Sequence, residues 1–222
     1  MNRSCCNVLE LRQYTTRSGE RETLISIFDR YFVESQEAEG MTVIGQFRDR
    51  RRPDRFVWLR GFSDMESRHR ALERFYGGPV WAEHRNEANA TMLEFHDVLL
   101  LKPARPDLAF RLDPCDRPAL GEELPAETVL AGIHSLSRPA DPEVVSSFEK
   151  QLRASGVRMD GLFVTEPSPN TFTGLPVREG KNVLVWFGAL AGGEWRSLLA
   201  DPPALLLELD PAPRSLWGRP RV

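Results

Sequence analysis

Asn7–Arg17 reads NVLELRQYTTR and Thr128–Arg138 reads TVLAGIHSLSR. The two stretches align without a gap, and each has the alternation of a strand running into a loop. A match of this kind between two stretches of one chain is the mark of an internal repeat. Each is followed by an amphipathic helical pattern: Leu24, Ile25, Phe28, Tyr31 and Phe32 in the first case, and Val144, Val145, Phe148 and Leu152 in the second. These positions lie on one face of a helix. Asp141 caps the second helix, with Pro142 in its first turn.

Working outward, each helix leads to a strand, Thr42 to Arg48 or Arg158 to Thr165, and after a polar connection to a stronger one, Phe56 to Phe62 (FVWLRGF) or Val183 to Ala189 (VLVWFGA). A second helix is predicted from about Asp64 through Phe75, with further turns around Trp81 to Ala88, and in the later copy from about Gly193 to Leu199. Thr91 to Leu101 and Ala204 to Leu209 close the two copies. Both halves therefore read βαββαβ, the ferredoxin-like order, whose four-stranded antiparallel sheet is covered by helices on one face. Pro103 to Pro125 carries five prolines and no period, and reads as a linker or wrapping strap. The expected organisation is an α+β chain of two tandem ferredoxin-like domains, 1–102 and 127–222, joined by residues 103–126.

Composition narrows the function. The 222 residues are 41 % hydrophobic and 27 % charged, with a formal net charge of -3. That is globular make-up with no bulk attraction for nucleic acid. No apolar run approaches the roughly 18 to 20 residues of a membrane span, and Met1 to Asn7 lack a signal-peptide core, so a cytoplasmic location is expected with no membrane partner. Cys5, Cys6 and Cys115 form no zinc-binding spacing, so no metal site is expected. Only Lys102, Lys150 and Lys181 could serve as a catalytic lysine.

Leu9-Glu10-Leu11-Arg12-Gln13-Tyr14 with Gly19, then FVWLRGFSDMESR over Phe56 to Arg68, then Pro79 with Trp81, resemble the NIPSNAP family of the dimeric α/β-barrel superfamily: its opening ELR-x-Y strand, its S-x-E-x-R helix start, and its later proline and tryptophan. The chain departs from the family pattern at Arg60, where a tryptophan is usual, at Phe62, where a tyrosine is usual, and at Trp58. The second half resembles a degenerate tandem copy that has lost the ELR-x-Y side chains.

The resemblance implies two sheets packed through their helix-free faces, with a ligand space between them, closed within one chain or across a homodimer. Placing the leucines of the first strand under the helices leaves Glu10, Arg12 and Tyr14 pointing into the barrel. The same division puts Val57, Leu59 and Gly61 under the helices and Phe56, Trp58, Arg60 and Phe62 inward. On the last strand it puts Leu93 and Phe95 beneath and Met92, Glu94 and His96 inward. The expected site thus joins Glu10, Arg12, Tyr14, Phe56 and Trp58 as substrate-binding residues to Arg60, Glu94 and His96 as catalytic ones. The arginines would hold a carboxylate or enolate while His96 or a carboxylate moves a proton. The same charges could instead pair with one another across strands and line an interface.

The expected function is binding of a small amphipathic or aromatic molecule between the sheets, extending to cofactor-independent chemistry of the monooxygenase, isomerase or cyclase type. A homodimer is the expected assembly, and the alternative function is a non-catalytic binding or scaffold protein that uses the sheets for self-association. Asp49 to Arg55 (DRRRPDR) reads as a solvated hairpin turn, His69 and His84 as exposed helix residues, and His134 as a histidine pointing toward the helices. His96 is the inward candidate for haem, but a lone strand histidine is more often structural, so no cofactor is expected.

Overall fold

The computed structural model describes residues 6–112, 117–122, 125–190 and 202–218. The first half runs β1 (Val8–Thr16), α1 (Arg21–Ile27), a π-helical segment (Phe28–Phe32) continuing into α2 (Val33–Ala38), β2 (Thr42–Asp49), β3 (Arg55–Phe62), α3 (Met65–Gly77), α4 (Pro79–Ala90) and β4 (Met92–Pro103). The second runs β5 (Val129–Leu136), α5 (Pro142–Ala154), β6 (Val157–Thr165), β7 (Asn182–Leu190) and β8 (Leu205–Pro211). The helix expected over Gly193 to Leu199 lies outside the described residues, as do Cys5 and Cys115. Local chemistry accounts for several boundaries. The Asp64 and Asp141 carboxylates accept the backbone N–H of Ser67 and Val144, at 2.6 and 2.9 Å, and so start α3 and α5. Pro79 at the first position of α4 separates that helix from α3. No helix among the described residues is long and apolar enough to cross a membrane.

Each half forms an antiparallel sheet in the order β4-β1-β3-β2 or β6-β7-β5-β8, and the two sheets join through β2 with β8 and β4 with β6. The result is one closed eight-stranded barrel within a single chain. Each junction is short, with three residue pairs between β2 and β8 and three between β4 and β6.

An eight-stranded barrel has an interior just wide enough for side chains to fill. Leu9, Leu11, Val57 and Leu59 of the first half meet Ala131, Ile133, Val185 and Phe187 of the second there. The proline-rich strap contributes Phe110 and the C-terminal segment Trp217, whose rings lie 5.3 Å apart and 5.1 and 5.3 Å from Phe187. The expected ligand space between the sheets is therefore occupied by packed side chains.

Two corrections follow. Leu9, Leu11, Val57 and Leu59 face the barrel interior, whereas Tyr14, Phe56, Trp58 and Phe62 pack with Leu24, Phe28, Phe32, Leu72 and Phe75 of the helices. The faces are thus the reverse of the expectation, because the sealed interior takes the purely apolar set. The gapless repeat match is also one residue out of structural register. The ladders pair Arg12 with Trp58 and Glu10 with Arg60 in one half, and Gly132 with Trp186 and Leu130 with Gly188 in the other. The register shift between Val43 and Gly45 falls opposite Arg60 and Leu59, and that between Met159 and Gly161 opposite Gly188 and Phe187. Arg60 thus matches Gly188, Arg12 is equivalent to Gly132, Glu10 to Leu130 and Tyr14 to His134, and a one-residue slip exchanges the faces of a strand. His134 does point toward the helices as expected, with its ring 4.7 Å from that of Phe148 on α5.

At Gly132 the indole of Trp186 lies where a side chain would start: a Cβ there would sit 2.2 Å from Trp186 Nε1. Gly132→Ala is expected to destabilise the chain by about 1–3 kcal/mol through overpacking. Urea denaturation followed by circular dichroism checks this, and an unchanged midpoint would contradict the close approach.

Candidate functional site

Turning β1 and β3 toward the helices brings Glu10, Arg12 and Arg60 under α2 and α3, where none is accessible to solvent. Glu10 Oε2 accepts from Arg12 Nη1 at 2.6 Å and from Arg60 Nε at 2.8 Å, while its Oε1 accepts from Arg68 Nε of α3 at 2.7 Å. Among the described residues Glu10 is the one carboxylate that pairs with these three guanidiniums. The buried group therefore carries a net charge of about +2. Arg12 Nε also donates to the Tyr14 hydroxyl at 2.7 Å, and Arg60 Nη1 to Gln36 Oε1 at 2.9 Å. Each guanidinium keeps its Nη2 without a hydrogen-bond partner among the described residues, and the same holds for Trp58 Nε1.

Burial pushes the Glu10 carboxyl up, but the guanidiniums of Arg60, Arg12 and Arg68 outweigh it and hold the group well below the usual carboxylate range. For Tyr14 burial dominates and raises the phenol, against the pull of Arg12, so it stays protonated at neutral pH. Arg12 is held more firmly charged than usual: burial opposes its charge, and Tyr14 and Glu10 more than restore it.

Beside this cluster lies a cavity of about 30 Å³ lined by Tyr14, Phe28, Phe32, Gln36, Trp58 and Tyr76, with Phe75, Trp81, Ala88 and Met92 completing the wall. That space holds one or two waters, so a larger occupant must part the helices. Tyr76, Trp81 and Met92 are partly exposed and mark the side on which it can open. Phe28 and Phe32 reach the cavity from the π-helical segment, a distortion found often at functional sites. Tyr14 meets Trp58 edge to face at 6.0 Å, and Tyr76 meets Trp81 at 4.8 Å. The arginines stand one ring behind the wall, Arg60 Cζ 5.0 Å and Arg12 Cζ 5.5 Å from the Trp58 ring.

Of the residues expected in the site, Glu10, Arg12, Tyr14, Phe56, Trp58 and Arg60 are brought together, on the helix side rather than in the barrel. Glu94 and His96 are not with them. A register shift in the β1–β4 ladder between Gln13 and Thr15 turns them out of the sheet face, leaving their side chains about half exposed. They line a separate polar cleft of about 430 Å³ with Gln13, Thr15, Arg55, Asp97 and Arg178, at the end of the sheet where β1 stops and β3 and β4 begin. There His96 Nδ1 lies 3.0 Å from Glu94 Oε1. Leu93, expected beneath the helices, is 59 % exposed, while Phe95 does pack on Tyr14 at 6.4 Å. Met92, expected inward, lines the cavity on the helix side.

The sequence reading missed Arg68, although it closes the quoted stretch Phe56 to Arg68, and it missed Gln36 and Tyr76. Phe28 and Phe32 were legible as apolar helix positions, but nothing in the pattern marks the π-helical turn that aims them at a cavity.

Eight antiparallel strands in this order with helices outside define a tandem ferredoxin-like barrel. A candidate monooxygenase from Lactobacillus acidophilus aligns over 91 % of this chain and 92 % of its own, with a TM-score of 0.50 and 11 % identity. A second, from Fusobacterium nucleatum, aligns over 96 % and 95 %, with a TM-score of 0.52 and 9 % identity. At such identities the likeness is one of fold. The NIPSNAP family model matches residues 9–105. An uncharacterised NIPSNAP-like domain protein from Burkholderia xenovorans is 24 % identical over 43 % of this chain and 84 % of its own, with a TM-score of 0.40. No curated protein matches the chain.

Glu10→Gln would leave three buried guanidiniums without their shared carboxylate, and removing one partner of a buried ion pair costs about 3–5 kcal/mol. Denaturant unfolding of the variant checks this, and a loss below about 1 kcal/mol would contradict the geometry. Because the folded carboxyl is held below its ordinary value of 4.5, its stabilisation is complete above that pH and is lost as pH falls below it. Wild-type stability should accordingly drop on acidification below about pH 4.5, and the part due to Glu10 should be missing from the Gln variant.

Proposed function

We propose that the N-terminal half binds a small aromatic anion, an aromatic carboxylate or an enolate-type oxyanion, in the cavity between its sheet and its helices. One observation carries this reading: three buried guanidiniums share a single carboxylate directly behind an aromatic-lined cavity. A buried charge without a counter-charge is costly, and a bound anion supplies what the chain's described residues do not. The aromatic walls suit a ring, while the Trp58 N–H and the protonated Tyr14 hydroxyl, which already accepts from Arg12, are donors for the oxyanion. Arg60 stands where the family usually has tryptophan, so the second excess charge is a feature of this chain. The cavity lies within one chain, and binding there needs no second copy.

The chemistry that fits is cofactor-independent, of the monooxygenase, isomerase or cyclase type: an oxyanion generated in the site would be stabilised by Tyr14 and Trp58 with the arginines behind them. The full-length fold neighbours are described as candidate monooxygenases, which supports this class by fold analogy. A binding role without catalysis has one observation in its favour. No described residue lining the cavity is a carboxylate or a histidine, so a substrate would have to enter already ionised or lose its proton to solvent.

Benzoate and benzamide, equal in shape and different in charge, test the reading by isothermal titration. Benzoate is expected to bind about ten-fold tighter or better, and Arg60→Met to remove most of that preference while leaving benzamide unchanged. Equal affinity for the two ligands in the parent protein would sink the anion assignment.

A further inference from the structure

A segment of the second half reaches the site of the first. The loop between β6 and β7 is pinned to β4 at both ends: Glu166 N donates to Leu100 O at 2.9 Å and Arg178 N to Val98 O at 2.8 Å. Between these points it braces itself. Asn170 Oδ1 accepts from Phe172 N at 3.2 Å, Asn170 Nδ2 donates to Leu175 O at 2.8 Å, and Leu175 N donates to Phe172 O at 3.2 Å. From this brace several contacts fall on α3, including those of Thr171 Oγ1, which accepts from Arg68 Nη1 at 3.4 Å and donates to Met65 O at 3.3 Å. Asn170 Oδ1 accepts from Arg68 Nη1 at 3.0 Å, the Thr171 carbonyl lies 2.7 Å from His69 Nδ1, and the Phe172 ring stacks on Tyr76 at 5.8 Å with 25° between the planes. Arg68 is one of the three guanidiniums on Glu10, and Tyr76 lines the cavity.

We propose that this loop is the specificity element of the N-terminal site, with Asn170 and Phe172 as positioning residues for Arg68 and Tyr76. The inference rests on the aromatic-anion reading above. The second half carries no charge cluster at the equivalent positions, where Leu130, Gly132 and Gly188 replace Glu10, Arg12 and Arg60; its contribution to ligand binding is the loop. The choice of asparagine is informative. An amide oxygen satisfies Arg68 Nη1 as well as a carboxylate would, yet leaves the guanidinium charge uncancelled and available to an anion. Aspartate, almost the same in shape, would cancel it. Phe172 meanwhile stacks on the Tyr76 ring without itself lining the cavity.

The test uses the full chain with Asn170→Asp, Phe172→Ala and Phe172→Tyr, measuring thermal unfolding without ligand and the affinities for benzoate and benzamide. Asn170→Asp is expected to raise the ligand-free Tm, because neutralising a buried guanidinium outweighs the lost Asn170 Nδ2 donation to Leu175 O, and to weaken benzoate about five-fold or more with benzamide unchanged. Phe172→Ala is expected to weaken benzoate by a similar factor, and Phe172→Tyr to restore it. A merely structural loop would not change the benzoate-to-benzamide ratio. If Asn170→Asp leaves both Tm and that ratio at parent values, the proposal is overturned, whether or not Phe172→Ala folds. If the parent protein shows no preference for benzoate, the aromatic-anion reading fails by itself. The ligand-free Tm then decides for the loop: a rise in Asn170→Asp supports its coupling to the charge cluster, and no change overturns it.

Discussion

Closure of eight strands in one chain is the constraint on which the rest of this structure depends. The two junctions are short, with β2 meeting β8 over Phe47 to Asp49 and β4 meeting β6 over Leu101 to Pro103. They nevertheless convert two half-covered sheets into a barrel whose interior excludes water. A sealed interior of that width accepts only packed apolar side chains. Leu9, Leu11, Val57 and Leu59 therefore turn inward, and the alternate residues of the same strands are left beneath the helices. Phe110 and Trp217, drawn from the strap and the C-terminal segment, complete the filling.

The helix-covered face of the first half then has to accommodate what alternation sends there, and it does so by clustering. Glu10 accepts from three arginines at 2.6 to 2.8 Å, which satisfies the carboxylate and leaves the cationic side in excess. In the second half the same face is relieved of charge. Leu130 and Gly132 stand in place of Glu10 and Arg12, and the Trp186 indole lies across the glycine and donates to His134 Nε2 at 3.2 Å. The two tryptophans, Trp58 and Trp186, hold equivalent ladder positions with opposite surroundings: one backs onto two guanidiniums with its N–H unpartnered, the other is covered and hydrogen-bonded. This asymmetry makes the first half the ligand-binding candidate and leaves the second as barrel wall and loop donor. The Glu94–His96 pair, exposed at the end of the sheet, belongs to neither core and is chemically separate from the arginines with which the sequence reading had grouped it.

Element order was legible in the sequence by itself. Hydrophobic period and the cap at Asp141 are local properties, and they yield the first βαββαβ run and, among the described residues of the second half, the strands β5 to β8 with α5. The membership of the β1 and β3 faces was legible too, because side chains alternate whatever lies on either side: Glu10, Arg12, Tyr14, Trp58 and Arg60 do share one face. Which face that is was decided by tertiary structure. With both sides of the sheet buried, alternation separates two sets without labelling them, and only barrel closure says which side is drier. The one-residue slip between the repeats has the same origin, since strand register comes from the ladders that pair Arg12 with Trp58 and Gly132 with Trp186, not from the likeness of two strings. The turning-out of Glu94 and His96 follows from a register shift whose partner strand is far away in sequence. The reach of Asn170 and Phe172 onto Arg68 and Tyr76 spans about a hundred residues of chain, a contact that no local pattern encodes because it exists only once the two halves have closed on each other.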